Sequence, residues 1–135
     1  MKAILGDHNF EGHIRFLVAL FEIEGWGELW SELKLELRTF ADLGIPGITP
    51  DDELWRLCQR EQIVLITANR NDDGPDSLEA VIRAENRPDS LPVFTVGDAT
   101  RVIHSREYAV RVAEQMLDYL LRIDELRSTG RLFLP

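Results

Sequence analysis

Several apolar runs in this chain end in oxygen-bearing side chains. Asp7 follows the run Ile4-Leu5, Asn69 and Asn71 follow Ile63 to Thr67, and Asp98 follows Val93 to Val96. A further acid, Asp51, opens an amphipathic segment. It stands within about one helical turn of Leu54, Trp55 and Cys58, so it borders an inward stripe. Carboxylates and amides are hard oxygen donors, the ligands that Mg²⁺ or Mn²⁺ requires. Grouped acids also repel one another unless a cation or protons compensate. Taken singly, each position has a plain structural explanation. Asp51 and Asp52 meet the positive end of a helix dipole, and Asp72-Asp73-Gly74 is ordinary turn chemistry. Taken together, three strand ends and one helix start point to a site, with Asp72 and Asp73 as nearby extra donors.

Such residues need elements to hold them. Lys2 to Leu5 reads as a short buried strand ending at Gly6. Phe10 to Glu24 carries Ile14, Leu17, Val18 and Phe21 at helical spacing, with Asp7 or Asn9 as its cap. Leu33 to Phe40 alternates apolar and charged residues, the pattern of a strand with one wet face. Leu43 to Ile48 is a glycine- and proline-rich loop. Thr49-Pro50-Asp51-Asp52 predicts a helix start with Thr49 as cap and Pro50 at the first helical position. Ile63 to Thr67 is apolar on both faces, as in a central parallel strand. Ala68 to Gly74 reads as a polar loop, and a helix starting at Pro75 turns Leu78, Val81 and Ile82 inward. Pro92 to Val96 is a third buried strand. Ser105 caps a long helix, and Arg131 to Leu134 forms an edge strand.

Alternating strands and helices predict one α/β domain over 1–135 with a mostly parallel sheet flanked by helices. Sites in such sheets lie at the carboxyl ends of the strands, which is where the oxygen donors fall. The 135 residues suffice for a core without disulfides. A net charge of −9 disfavours a nucleic-acid coat or a membrane-surface binder, although acids that hold metal ions remain compatible with nucleic-acid chemistry. Cys58 is the single cysteine, so no intrachain disulfide forms, in keeping with a reducing cytoplasm. The apolar stretch Phe16 to Phe21 is far short of the ~20 residues of a membrane span.

The ordered motifs resemble those of the PIN-like proteins, small α/β domains related to the PIN-domain nucleases. Ile4-Leu5-Gly6-Asp7-His8-Asn9 is similar to the family's first strand and its D-E-N-type motif. Asp51-Asp52-Glu53-Leu54 matches an acidic helix start of the form D-x-E-[IL]. Leu65-Ile66-Thr67-Ala68-Asn69-Arg70-Asn71 stands where the family has a strand ending T-x-D-x-D. The resemblance covers the first half of the chain well and the remainder in element order. It implies a three-layer PIN-like fold and a metal-dependent ribonuclease that uses Mg²⁺ or Mn²⁺. Asp7 and Asp51 are then metal-binding acids and catalytic, with Asn69 and Asn71 as further metal ligands. The two amides depart from the usual acids, since an amide oxygen coordinates a cation but brings no charge and no general base. Asp98 restores one charge as a third catalytic acid. The resemblance also implies RNA as substrate and, for a toxin-like member, an antitoxin partner. The alternative is a PIN-like module that has lost catalysis and serves in binding.

Arg15, Arg70 and Arg101 stand on or near the expected site face, Arg70 and Arg101 in reach of substrate phosphates. Solvated surface or ion pairing explains them equally. His8 is in the site loop; His13 reads as solvent-facing, and His104, before the Ser105 cap, as loop. The three histidines are not spaced as a zinc pair. Trp26, Trp30 and Trp55 suit core packing or an interface better than a base-stacking platform. Trp26 and Trp30 beside Gly27, with the Leu132-Phe133-Leu134 tail, predict apolar surface and a homodimer.

Overall fold

In a computed structural model that describes residues 1–68, 74 and 77–135, five strands form one parallel sheet. The strands are β1 (Ala3–Gly6), β2 (Glu36–Arg38), β3 (Ile63–Thr67), β4 (Val93–Val96) and β5 (Arg131–Leu134), in the order β2-β1-β3-β4-β5. Every pairing is parallel, with Ile4 opposite both Leu37 and Val64, Ile66 opposite Phe94, and Phe94 opposite Leu132. The helices are α1 (Glu11–Ile23), α2 (Gly27–Leu33), α3 (Phe40–Leu43), α4 (Asp51–Glu61), α5 (Leu78–Glu85), α6 (Ala99–His104) and α7 (Arg106–Leu121). The three-layer α/β expectation holds.

The side-chain period of two splits the sheet into two apolar faces. Ile4, Val64, Ile66, Phe94 and Val96 pack with Ile14, Leu17 and Phe21 of α1 and with Val112, Met116 and Leu120 of α7. Ala3, Leu5, Ile63, Leu65 and Val93 pack with Leu54, Trp55 and Cys58 of α4 and with Val81 of α5. Both faces of β1 and β3 are therefore covered, which is why these strands read as unbroken apolar runs.

The faces also reveal an unusual connection. The steps from β3 to β4 and from β4 to β5 run toward the same sheet edge. The first passes through α5 on the α4 face, the second through α6 and α7 on the α1 face. The two crossovers thus have opposite hands, whereas parallel sheets overwhelmingly use one.

Several local expectations shift. The strand predicted over Leu33 to Phe40 is only Glu36–Arg38, because α2 runs through Leu33 and ends at Lys34 in the left-handed region (φ 54°). Phe40 instead opens α3, whose capping box joins Thr39 and Asp42. Trp26 and Trp30 belong to the start and body of α2, half-buried, with the Trp30 ring 5.2 Å from that of Phe21. They are not an exposed connecting segment. Pro50, not Thr49, holds the cap position of α4, since the Thr49 hydroxyl donates to the Pro46 carbonyl at 2.6 Å. Ser77 caps α5 through the Ala80 N–H; the expected start at Pro75 lies outside the described residues. His104 ends α6 and is not in a loop. Ser105 does cap α7, and Arg131–Leu134 is an edge strand. Among the described residues no helix is long and apolar enough to cross a membrane.

Candidate functional site

The strand order reverses between β1 and β3. Chain steps leave these two strands in opposite directions, so a crevice opens beyond their carboxyl ends. Asp7 is the first residue past β1. Its N–H continues the ladder by donating to the Ile66 carbonyl at 2.9 Å. Its carboxylate is held at both oxygens. Oδ1 accepts from the His8 N–H at 2.8 Å, and Oδ2 accepts from the Thr67 hydroxyl at 3.0 Å. Both donors are neutral. Among the described residues no cation pairs with this carboxylate.

Gly6 makes the approach possible. A Cβ there would lie 2.8 Å from Ile14 Cγ2 and 3.3 Å from the Phe10 carbonyl oxygen. The chain then turns through a single 3-10 turn, His8–Phe10, which Asp7 caps. That agrees with Asp7 as a cap, although of this turn and not of α1. Phe10 is buried beneath the turn, and its ring stacks on His13 at 4.7 Å.

Asp51 comes from the other direction, as the first residue of α4. The loop before it approaches His8 closely: a Cβ on Gly47 would lie 2.6 Å from His8 Nε2. The His8 ring also sits 5.3 Å from that of Phe40, with Nδ1 3.4 Å from a Glu11 carboxylate oxygen. A cleft of about 430 Å³ results. It is lined by Asp7 to Phe10 from the β1 end, Gly47 to Thr49 and Asp51 from the loop and α4, Thr67 and Ala68 from β3, and Ala99 from α6. Ile48, 90% exposed, stands on its rim.

The charge of Asp7 is felt inside the protein. The Cys58 thiol is buried, and its pKa is pushed up to about 12, first by burial and then by the negative charge of Asp7. A thiol so protonated packs as a small apolar group and is no nucleophile.

The structure thus brings Asp7 and Asp51 into one cleft. Asn69, Asn71 and Arg70 lie outside the described residues, as do Asp72 and Asp73. Asp98 does sit at the end of β4, but its carboxylate accepts the Arg101 N–H at 3.1 Å as the cap of α6. It does not line the cleft, whereas its neighbour Ala99 does. Its N–H donates to the Tyr108 hydroxyl at 3.0 Å, and that hydroxyl donates to the Pro135 carbonyl. The Arg101 guanidinium lies 4.3 Å above the Tyr108 ring. Among the described residues no three His, Cys, Asp or Glu side chains gather as one group, so the described acids of the cleft are the pair Asp7 and Asp51.

Sequence reasoning passed over Thr67 as a site residue. The available signal was a hydroxyl closing an otherwise apolar buried strand, since a buried polar group must find a partner. Gly47 and Ile48 carry only a loop signal in the sequence. Comparison with family models, with curated proteins and with solved structures finds no match to this chain.

Proposed function

We propose that the protein is a metal-dependent ribonuclease of PIN-like type, with the Asp7–Asp51 cleft as its reaction centre. One observation supports this reading above the others: two carboxylates 44 positions apart in sequence line a single cleft at the strand-order switch. Mg²⁺ commonly binds through one or two carboxylates, keeps several waters and takes substrate phosphate oxygens as further ligands. Asp7, Asp51 and the neighbouring Thr67 hydroxyl fit that demand, and Asn69 and Asn71, two and four positions after Thr67 in sequence, are further neutral oxygen donors. A bound Mg²⁺ or Mn²⁺ would polarise a phosphoryl oxygen and ease deprotonation of a water beside it. The chain's own contribution is orientation. Thr67 and the His8 N–H fix both oxygens of Asp7, so the carboxylate is positioned before any ligand arrives. Asp51 sets the opposite side of the same cleft.

Asn69 and Asn71 favour a second reading, a PIN-like module that binds without cleaving, because they add no charge and no general base. A toxin-like role with an antitoxin partner, and a cytoplasmic site of action, belong to the same proposal. The test is incubation of the purified protein with single-stranded RNA and Mn²⁺ beside an Asp7→Ala control. Cleavage by the wild type alone supports the nuclease. RNA binding without cleavage selects the second reading, and equal cleavage by both proteins removes the enzyme claim.

A further inference from the structure

The outer face of α7 carries a feature that the cleft does not explain. A groove of about 600 Å³ runs over this helix, lined by Trp26 and Leu29 of the α2 segment, by Arg111, Glu114, Asp118 and Leu121 of α7, and by Pro135. Leu29 and Leu121 are each 43% exposed, and Ile23 at the end of α1 is 60% exposed. Apolar surface of this kind marks contact sites. The buried side of α7 is fully used by Val112, Ala113, Met116 and Leu120, so the exposed leucine is not displaced core.

The charges along the same face say what covers it. At 3.6 residues per turn, Glu107, Arg111, Glu114, Asp118 and Arg122 fall on one outward stripe. All but Asp118 are exposed, and Asp118 is half-buried. When a second α7 lies antiparallel across this stripe about a two-fold axis between residues 114 and 115, Arg111 of each copy faces Asp118 of the other. Glu107 then faces Arg122, and Glu114 faces the neutral Gln115. Every charged position meets an opposite or neutral one, although the chain as a whole carries −9. A two-fold interface must be self-complementary in this way.

We propose that the α2–α7 face is the interface of a homodimer, with paired antiparallel α7 helices and the Leu29 and Leu121 side chains closing its apolar part. Asp118 exchanges its bond to Arg122 of the same copy (2.9 Å) for one to Arg111 of the second copy. That exchange costs little, because exposed i,i+4 ion pairs contribute little to stability. The groove shares no lining residue with the Asp7–Asp51 cleft, so the proposal stands independently of the proposed activity.

The test is the mass in solution, by sedimentation or light scattering at physiological salt. The wild type is expected to be a dimer at micromolar concentration, and Leu121→Glu a monomer with an unchanged circular dichroism spectrum. Arg111→Asp sets acid against acid, and Asp118→Arg sets cation against cation. Each alone is expected to weaken association at least tenfold. Mixing these two variants restores both pairs in a heterodimer, so the mixture is expected to regain the wild-type affinity. A monomeric wild type, single variants that dimerise normally, or a mixture that fails to recover would each overturn the proposal.

Discussion

The two ends of the parallel sheet treat polar side chains differently. Toward the amino ends of the strands, charged groups are paired within the chain around a polar cleft of about 550 Å³, although the Asn86 Oδ1 and the Trp55 Nε1 are buried there without a hydrogen-bond partner among the described residues. The Gln59 amide donates to the Leu91 carbonyl at 2.8 Å and accepts the Leu91 N–H at 2.9 Å. Arg127 donates to the Asp89 carbonyl and to Asp124, and Asn86 donates to the Ser128 carbonyl. Arg56 holds Glu85 through Nε and Nη2. At the carboxyl ends, the Asp7 carboxylate meets neutral donors alone among the described residues. Charge balanced by cations of the same chain serves structure. Charge fixed in place but left without a cation, beside an open cleft, is suited to a ligand that brings one.

The largest effect tests the sheet that holds both ends. Phe94 is fully buried in β4, with its ring 5.6 Å from that of Tyr119. Phe94→Ala is expected to cost about 3–5 kcal/mol in denaturant unfolding. Its response to Mn²⁺ should survive, because the residue packs in the interior and does not line the cleft. Loss of that response together with stability would join the two ends and break the contrast.

Next is Gly6, where β1 packs closely against Ile14 of α1. Gly6→Val places atoms against Ile14 and the Phe10 carbonyl and is expected to cost about 1–3 kcal/mol by overpacking. Because it tilts the turn that carries Asp7, this variant should also weaken Mn²⁺ binding. A destabilised protein that bound the cation normally would separate the turn from the site.

The Cys58 thiol sharpens the comparison from inside. Its ordinary pKa of 9 is raised to about 12 in the folded protein. Above pH 9 the unfolded chain loses this proton while the folded chain keeps it. Stability is therefore expected to fall from pH 9 toward pH 12, and less steeply in Cys58→Ala. Equal slopes would contradict the burial. Asp7→Asn removes the second cause of the shift and should lower the thiol pKa slightly.

The smallest effect belongs to the amino end. The Arg56 guanidinium holds the Glu85 carboxyl below its ordinary range, chiefly by hydrogen bonding. A carboxylate with a depressed folded pKa stabilises above its unfolded value, and the effect is lost as pH falls through the folded pKa. Glu85→Gln should thus be marginally less stable than wild type at neutral pH and equal to it at acidic pH. Both partners are solvent-exposed, so the difference is small, and Mn²⁺ binding should not change.

What the sequence disclosed follows from how locally each feature is encoded. β3 was legible because five consecutive apolar or β-branched residues leave few alternatives, and α7 because its stripe persists over four turns. The Leu33-Leu35-Leu37 alternation misled, since it spans a helix end at Lys34 and only then a strand. α6 escaped notice because six residues with Val102 alone buried carry little periodicity. The opposite-handed last crossover is a property of three-dimensional packing and leaves no mark on any single segment. Asp7 and Asp51 were legible as strand-end and helix-start acids. The hydroxyl of Thr67 on Asp7 and the seat of His8 against Gly47 join positions too distant for local reading.

The proposed function requires that the carboxyl-end cleft, and not the amino end, hold a divalent cation. Thermal unfolding of wild type, Asp7→Asn, Asp51→Asn and Glu85→Gln across a Mn²⁺ titration tests it most directly. Cation at a hundred times its Kd stabilises the folded state by about 2.7 kcal/mol. A rising melting temperature is expected for the wild type and Glu85→Gln, and a flat one for Asp7→Asn and Asp51→Asn. No rise in the wild type at millimolar Mn²⁺, or an equal rise in all four proteins, would contradict it.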